Sequence, residues 1–240
     1  MIKNILFDFD GVIFDSMPVR EAGFRQIFQD FDEYLVDKLI DYHNQNGGLS
    51  RYVKIDFFFN YILKKPIQKD QSLSYAKSFS DIMKKELVKK EYFIIDSLSF
   101  IEENYKKYNL HIVSGSDEEE LQYLCNELGI GTYFHSIHGS PTAKSILVKR
   151  ILLDNNYDTN ETILIGDSIN DIEAAYNAKI NSVLLKTSYN RHISDGVYPI
   201  DIKHLPSISR KSFAAEFKAG LAPLLQKTKN PWYFCLPNFN

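Results

Sequence analysis

The residues with the clearest potential for chemistry are two acids near the start of the chain, Asp8 and Asp10. They stand two positions apart on a strand-like apolar run, so both carboxylates can face the same side, and Gly11 then permits a tight backbone turn. Carboxylates placed together can divide nucleophilic and acid/base work between them. The alternative is turn chemistry alone, because Asp and Gly are common where strands end.

A second polar group, Ser114-Gly115-Ser116-Asp117, follows another strand-like run and precedes a predicted helix. A hydroxyl and free backbone N–H groups at a helix start can hold a phosphate. The alternative is a helix cap, because Ser116 and Glu119 fit a capping box. We therefore interpret Ser116 as structural and assign phosphate binding to Ser114 and the Gly115 backbone.

Two further acids, Asp167 and Asp171, lie in residues 166–171, after a later strand-like run. Asp167 stands at the strand tip and Asp171 in the first turn of the next helix, a spacing that brings both toward one point. Ser168 and Asp171 also fit a capping box, so a purely structural role for Asp171 stays open. Asp167 precedes that cap and is not explained by it.

Lys144 lies in the first turn of a helix predicted to begin around Ser140, Pro141 or Thr142. A cation there opposes the helix dipole, at a cost of about 0.3–1 kcal/mol. A solvated surface lysine is one reading. The other is that the four acids, gathered nearby, attract the ammonium group, whose function would then be charge balance.

These residues stand in a chain where short apolar runs alternate with helical patterns. The runs are typical of buried parallel strands and cover residues 5–9, 111–114, 134–137, 162–166 and 182–185. Helical spacing of apolar residues predicts helices over 96–107, 117–128, 143–154 and 170–178. The alternation predicts an α/β fold with a doubly wound, Rossmann-like parallel sheet.

The segment from about residue 16 to 90 breaks this alternation, because it has helical patterns and aromatic clusters but no convincing run of strands. Ligands in such a sheet bind beyond the carboxyl ends of the strands, so an insertion leaving there would cover the site. We therefore predict a core domain of residues 1–15 and 91–205, a smaller helical cap domain of residues 16–90, and a tail of unknown role, 206–240.

Composition limits the classes of partner. With 28 basic and 31 acidic side chains the net charge is -3, which gives no global attraction to nucleic acid or to anionic membranes. The only cysteines, Cys125 and Cys235, are too few for a disulfide framework, so we expect a cytoplasmic protein. No segment approaches membrane-spanning length. The oligomeric state, monomer or homodimer, stays open.

In chain order, the polar groups resemble the motifs of the haloacid-dehalogenase superfamily. The resemblance is to its phosphatase and phosphomutase branch, similar to phosphoglycolate phosphatase and β-phosphoglucomutase, in which a helical cap follows the first motif. Residues 8–12 resemble motif one, Ser114 motif two, Lys144 motif three and residues 166–171 motif four, so the likeness covers residues 1 to about 205.

The resemblance implies a role for each acid. Asp8 would attack phosphorus in line and also bind a metal ion, while Asp10 would protonate the leaving oxygen and later activate water. The Asp10 backbone carbonyl and the Asp167 carboxylate would complete the metal site with Asp171, which would act through water or by orienting Lys144. Mg²⁺ suits such an all-oxygen site.

The resemblance also implies how the phosphoryl group is held. Lys144 and Ser114 would steady its oxygens and the charge that develops during transfer. The same residues favour phosphatase chemistry over dehalogenation, which needs no metal. A phosphomutase stays open, because it shares this core and differs mainly in how the cap keeps water from the phosphoaspartate. A phosphate-binding or regulatory protein without turnover is a third alternative.

One cap segment, residues 44–52, is a candidate for substrate recognition because it is polar, glycine-rich and contains Arg51. It resembles substrate-specificity loops in capped relatives, and so predicts Arg51 and Gly48 as substrate contacts. The alternative is an exposed loop with Arg51 in solvent. A closing cap leaves little room for a protein substrate, so the predicted partner is a small phosphorylated metabolite, such as a sugar or hydroxyacid phosphate.

Overall fold

A sheet of five parallel strands lies at the centre of the residues that the structure, a computed structural model, describes: 2–185, 187 and 190. The strands are β1 (Asn4–Phe7), β2 (Asn109–Asp117), β3 (Ser136–Ser140), β4 (Thr162–Gly166) and β5 (Asn181–Leu184). Their spatial order is β3-β2-β1-β4-β5. Each overlaps one predicted run, and the predicted doubly wound α/β fold is confirmed.

The central strand β1 is apolar on both faces, as a strand covered by helices on each side must be. Ile5 and Phe7 pack into the larger hydrophobic cluster, while Leu6 points the other way and packs with Val113 and Leu164 in a second cluster. Strand β1 pairs with β2 on one side and β4 on the other, so the acids that follow it emerge at the middle of the sheet edge.

Eight α-helices surround or extend from the sheet within the described ranges. They are α1 (Met17–Ile27), α2 (Glu33–Gln45), α3 (Arg51–Phe57), α4 (Lys69–Glu86), α5 (Ile95–Asn104), α6 (Glu118–Glu127), α7 (Lys144–Asp154) and α8 (Ile169–Ala178). The predicted core helices are confirmed to within a few residues at each end. The helices α1 to α4 form the predicted helical cap, for which residues 16–90 stay our proposed extent.

Aromatic side chains form the interior of the cap. Phe24 and Phe79 lie with ring centroids 4.4 Å apart, and Phe28 and Phe58 lie 4.3 Å apart. All four rings are buried. This packing joins α1 to α4, and the residue after α1 to the residue after α3, and the four rings belong to the same buried cluster as Ile5 and Phe7 of β1.

The two chain segments that connect the cap to the sheet domain run side by side. The Asp15 N–H donates to the Tyr92 carbonyl at 2.8 Å, and the Ile94 N–H donates to the Ile13 carbonyl at 3.0 Å. Phe14 and Phe93 form an antiparallel bridge between them. The cap therefore joins the core through a paired connection rather than through two separate linkers.

The predictions for the end of the chain lie mostly outside the described residues. The predicted tail, 206–240, and most of the predicted core after Leu185 belong to that part. Across the ranges that are described, no helix combines the length and apolar character needed to cross a membrane.

Candidate active site

Three carboxylates meet at the carboxyl ends of β1 and β4. Asp8, Asp167 and Asp171 each offer an oxygen, and these oxygens lie within 4.8 Å of one another. The convergence follows from topology, because β1 and β4 are adjacent parallel strands and Asp171 lies in the first turn of α8. Asp171 also makes the predicted capping box with Ser168, whose N–H donates to Asp171 Oδ2 at 3.0 Å.

Lys144 reaches this cluster from the first residue of α7. Its Nζ lies 2.9 Å from Asp8 Oδ2 and also donates to Asp171 Oδ1. Burial alone would lower the pKa of Lys144, but the charges of Asp171 and Asp8 outweigh burial and raise it. The side chain is buried, so the solvated reading is wrong, and the ammonium group balances the carboxylates.

The surroundings of the acid cluster stabilise its negative charge only in part, and the pKa values of two of the acids are raised. Burial, with contributions from Asp171 and Asp10, raises the pKa of Asp8 to about 7 even though Lys144 opposes the rise. Burial, followed by the charges of Asp8 and Asp171, raises the pKa of Asp167 well above its usual range. A set of crowded carboxylate oxygens is the donor set that Mg²⁺ prefers, and a divalent cation would offset their repulsion. The residues present therefore fit that ion.

Asp10 is held by a different set of partners. Its Oδ1 accepts hydrogen bonds from Ser16 Oγ and, at 2.7 Å, from Arg20 Nε, and its Oδ2 accepts one from Ser116 Oγ. Burial favours a higher pKa for Asp10, but the Arg20 charge and the hydrogen bonds from Ser116, Ser16 and Arg20 outweigh it, and the pKa is lowered. Asp10 is therefore ionised in this arrangement.

The contact between Ser116 and Asp10 corrects one prediction. Strand β2 extends to Asp117, and the Asp117 side chain, not that of Ser116, caps α6 by accepting the Glu120 N–H at 3.2 Å. The predicted capping box of Ser116 with Glu119 is wrong. Asp117 pairs with Ser140 of β3 after an interruption of the register that begins past Val113, and Ser116 lies inside β2 with its hydroxyl on Asp10.

A pocket lies beside the acids, and two of the predicted phosphate-binding residues, Ser114 and Gly115, lie on its wall. Ser114 and Gly115 line it together with Asp8 and Asp10. Ser114 is buried, and its Oγ accepts the Ser116 N–H at 3.1 Å, which orients the hydroxyl at the end of the strand. The structure thus brings a hydroxyl and a glycine backbone next to the paired acids, as the motif spacing predicted.

A family model for haloacid dehalogenase-like hydrolases matches residues 5–185. The chain belongs to that family. The resemblance found in the motifs is confirmed, and the matched range contains the acid cluster, Lys144 and the whole cap. No curated protein matches the sequence significantly.

Solved structures of other proteins share the fold of this hydrolase. A β-phosphoglucomutase from Clostridium difficile is 17% identical with a TM-score of 0.66, the alignment covering 92% of this chain and 100% of that one. A predicted phosphoglycolate phosphatase from Haemophilus somnus is 18% identical, with a TM-score of 0.64 and coverage of 79% and 86%. CbbY from Rhodobacter sphaeroides, solved with phosphate, is 16% identical, with a TM-score of 0.65 and coverage of 80% and 89%. The family match shows a hydrolase, in agreement with the predicted enzyme class, and these neighbours show the shared fold.

In the hydrolase, a cap loop lies directly on the core motifs. Asn170 Nδ2 donates to the Gly48 carbonyl at 2.8 Å. A Cβ atom on Gly48 would lie 2.3 Å from Ser168 Oγ, and one on Gly115 would lie 2.3 Å from the Gly48 carbonyl oxygen. Both positions need glycine because the cap backbone approaches the core so closely. Gly48, predicted as a substrate contact, lines the pocket.

Arg51 is not the solvated loop residue of the alternative reading. It is the first residue of α3, it is 4% exposed, and it lines the pocket. Its Nη1 lies 2.6 Å from Glu120 Oε2, while Arg20 Nη1 lies 3.1 Å from Glu120 Oε1. Glu120 therefore bridges two cap arginines, Arg51 and Arg20, and Arg20 also binds Asp10. Arg51 Nε and Nη2, also buried, have no hydrogen-bond acceptor among the described residues.

Sequence reasoning missed four buried charged or titratable residues of the pocket region: Arg20, His43, Lys54 and Glu120. Each lies on a helix, where a charged residue is normally read as solvent-facing. Glu120 ends an acidic run at the start of α6 and is fully buried, which only tertiary packing reveals. A weak signal exists for Lys54, since it follows Arg51 by three positions and so shares its helix face.

Proposed function

We propose that this hydrolase releases phosphate from a small phosphorylated metabolite through a phosphoaspartate on Asp8, with Mg²⁺ as its cofactor. The supporting observation is the setting of the Asp8 carboxylate at the centre of the sheet edge. Lys144 contacts one of its oxygens, Asp167 and Asp171 lie beside it, and it lines a pocket under the cap.

In the first half of the proposed reaction an Asp8 oxygen attacks phosphorus, and the bond from phosphorus to the leaving oxygen breaks. Asp10 gives that oxygen a proton, so the alcohol leaves neutral. In the second half Asp10 takes a proton from water, the hydroxide attacks phosphorus, and the bond to Asp8 breaks, which releases phosphate and restores the enzyme. Ser114, the Gly115 N–H and Lys144 would hold the phosphoryl oxygens throughout.

The lowered pKa of Asp10 leaves its carboxylate ionised, which is the form that the second half requires. For the first half Asp10 must carry a proton. A bound phosphate ester brings negative charge beside Asp10, and nearby negative charge raises the pKa of a carboxyl group. Mg²⁺ would be held by Asp8, Asp167 and the Asp10 carbonyl, with Asp171 behind them, and when bound it would neutralise carboxylate and phosphate charge.

The test is a screen of phosphorylated metabolites together with phenyl phosphate, with inorganic phosphate as the product measured. We expect release from phenyl phosphate and faster release from at least one metabolite. Absence of release from every compound, with Mg²⁺ present, would leave a phosphate-binding or regulatory protein as the better reading.

A phosphomutase is the second candidate, and the close contact of the cap loop with the core favours it, since a cap packed against the core would limit the entry of water to the phosphoaspartate. Transfer of phosphate between two positions of a sugar bisphosphate, faster than its release, would identify a mutase. The expected result for a phosphatase is the reverse.

Gly115→Ala is expected to lower kcat/KM about tenfold or more on every substrate, including phenyl phosphate. Its Cβ would lie 2.3 Å from the Gly48 carbonyl oxygen, and a backbone group cannot rotate away, so the cap loop must move off the core. Steady-state kinetics and the melting temperature of each variant measure this.

Gly47→Ala is the matched control, because it adds a methyl group to the same cap loop at an ordinary 3.7 Å from Met17 Cε. We expect its kinetics to stay within about twofold of wild type, as is usual when no contact is broken. Wild-type kinetics for Gly115→Ala would show that catalysis does not need this contact.

Arg51→Ala is expected to raise KM about tenfold or more for esters with a polar or anionic group beyond the phosphate, and to change phenyl phosphate little. The unpartnered Nε and Nη2 donors can bind the non-reacting end of such a substrate. The variant also leaves Glu120 with Arg20 as its one ion-pair partner among the described residues.

The double variant Arg51→Ala/Glu120→Gln therefore serves as the control, because it removes the buried negative charge that Arg51 balances. If the single and double variants show the same rise in KM, the effect belongs to substrate binding. If kcat/KM falls as much on phenyl phosphate as on the esters with a polar or anionic group, Arg51 acts in cap closure instead.

A further inference from the structure

Lys54 is a buried cap lysine on the wall of the pocket. It lies in α3, one turn after Arg51, and is 2% exposed. Its Nζ lies 2.9 Å from His43 Nδ1 and donates to the Gly47 carbonyl at 3.2 Å. An ammonium group has three N–H donors, so these two contacts leave one of them for a ligand.

The other cations of the pocket have acids beside them, whereas Lys54 does not. Arg20 lies between Asp10 and Glu120, and Arg51 pairs with Glu120. Throughout the part of the chain that the structure describes, no carboxylate oxygen lies within 4.0 Å of Lys54 Nζ. The charges of the two arginines are therefore matched within the protein, and that of Lys54 is not.

We propose that Lys54 is a specificity-determining residue, which binds an anionic group, a carboxylate or a second phosphate, on the end of the substrate away from Asp8. The proposal rests on the proposed function, because it concerns the other end of a phosphate ester held at Asp8. In this division of roles Arg51 supplies hydrogen bonds, while Lys54 supplies the uncompensated positive charge.

The surroundings of Lys54 agree with a site prepared for an anion. Burial, then the charges of Arg20 and Arg51, lower the pKa of Lys54 to about 7, against the opposing charges of Asp10 and Asp8. Burial, then the charge of Lys54, holds the pKa of His43 well below its usual range, so a neutral His43 accepts from Lys54. An anion in contact would stabilise the charged form of Lys54.

The decisive variant is Lys54→Met, which keeps the length of the side chain and removes the charge. The probes are 2-phosphoglycolate and 2-hydroxyethyl phosphate, which differ in ending with a carboxylate or a hydroxyl, and phenyl phosphate as the reference. We expect the kcat/KM of the wild-type enzyme to be about tenfold or more higher for 2-phosphoglycolate than for 2-hydroxyethyl phosphate. The reason is that a charge-assisted hydrogen bond to a carboxylate is stronger than a hydrogen bond to a neutral hydroxyl. Lys54→Met should lose that preference and keep its rate on phenyl phosphate within about twofold.

Two controls separate binding from folding. Lys65→Met removes an exposed cap lysine and should behave as wild type. Lys54→Met should melt at or above the wild-type temperature, because a buried charge without an acid beside it destabilises the fold. Lys54→Gln repeats the comparison of the three esters with a neutral polar side chain at this position.

Calorimetric binding of the same esters to the Asp8→Asn protein gives the preference without turnover, so failure of the phosphatase proposal stays distinguishable from failure of this one. An unchanged carboxylate preference in Lys54→Met and Lys54→Gln would overturn the proposal. Equal losses on all three esters would overturn it too, since they would assign Lys54 to holding the cap loop through Gly47.

Discussion

Asp8→Asn is expected to lower the rate of phosphate release by more than about 10⁴-fold, which corresponds to roughly 5.5 kcal/mol of activation free energy. The substitution removes the attacking oxygen and a proposed metal ligand together, while the side chain keeps its size. Single-turnover and steady-state assays with phenyl phosphate measure the loss. Retention of a tenth of the wild-type rate would rule out Asp8 as the nucleophile.

The fold should survive this substitution. The raised pKa of Asp8, about 7, means that the folded protein holds its charged form less favourably than water does, so a neutral amide does not remove a stabilising charge. Lys144 keeps its contact with Asp171. Asp15→Asn, an exposed acid in the same segment, is the matched control, and both variants should melt close to the wild-type temperature.

Removal of divalent metal with EDTA is expected to stop phosphate release, and Mg²⁺ is expected to restore it. The reason is the crowding of three carboxylates within 4.8 Å, which repel one another and an incoming phosphate unless a cation is present. Ca²⁺ should inhibit, because its larger and looser coordination can misplace the in-line nucleophile.

The metal experiment is checked by titrating Mg²⁺ back while the release of phosphate is followed. EDTA already saturated with Mg²⁺ is the control, and it should have no effect on the rate. Full activity in metal-free buffer would contradict the proposed mechanism.

The acid cluster could be predicted from sequence because its residues follow strand ends. Asp8 lies near the end of the first apolar run and Asp167 directly after a later one, and parallel strands place such positions at one edge of the sheet. Asp171 and Ser168 carry a local capping signal that the structure confirms. Topology and short-range spacing sufficed here, so the core site needed no knowledge of the cap.

The cap side of the pocket could not be predicted in the same way. Glu120 and Arg20 are 100 positions apart, and they meet because the cap, through α4, packs on α6. On a helix a buried charge and a solvated one have the same sequence pattern, so burial of Lys54 or Arg51 depends on tertiary packing alone. The predicted capping box of Ser116 was wrong for a related reason. Strand β2 pairs with β3 as far as Asp117, so the helix begins after Asp117 and not after Ser116.

The central place of β1 in the sheet affects how the protein folds while it is being synthesised. Asn4 bonds through its side chain to Asn109 and Thr162, which lie 105 and 158 positions further on. During synthesis, the apolar strand β1 therefore leaves the ribosome with both edges unpaired, while the cap helices, whose contacts are closer in sequence, can form first. Until β4 has been synthesised, one edge of β1 has no partner strand, and its backbone hydrogen-bonding groups stay unpaired. We therefore expect chaperones to bind the nascent chain mainly before β4 has emerged from the ribosome.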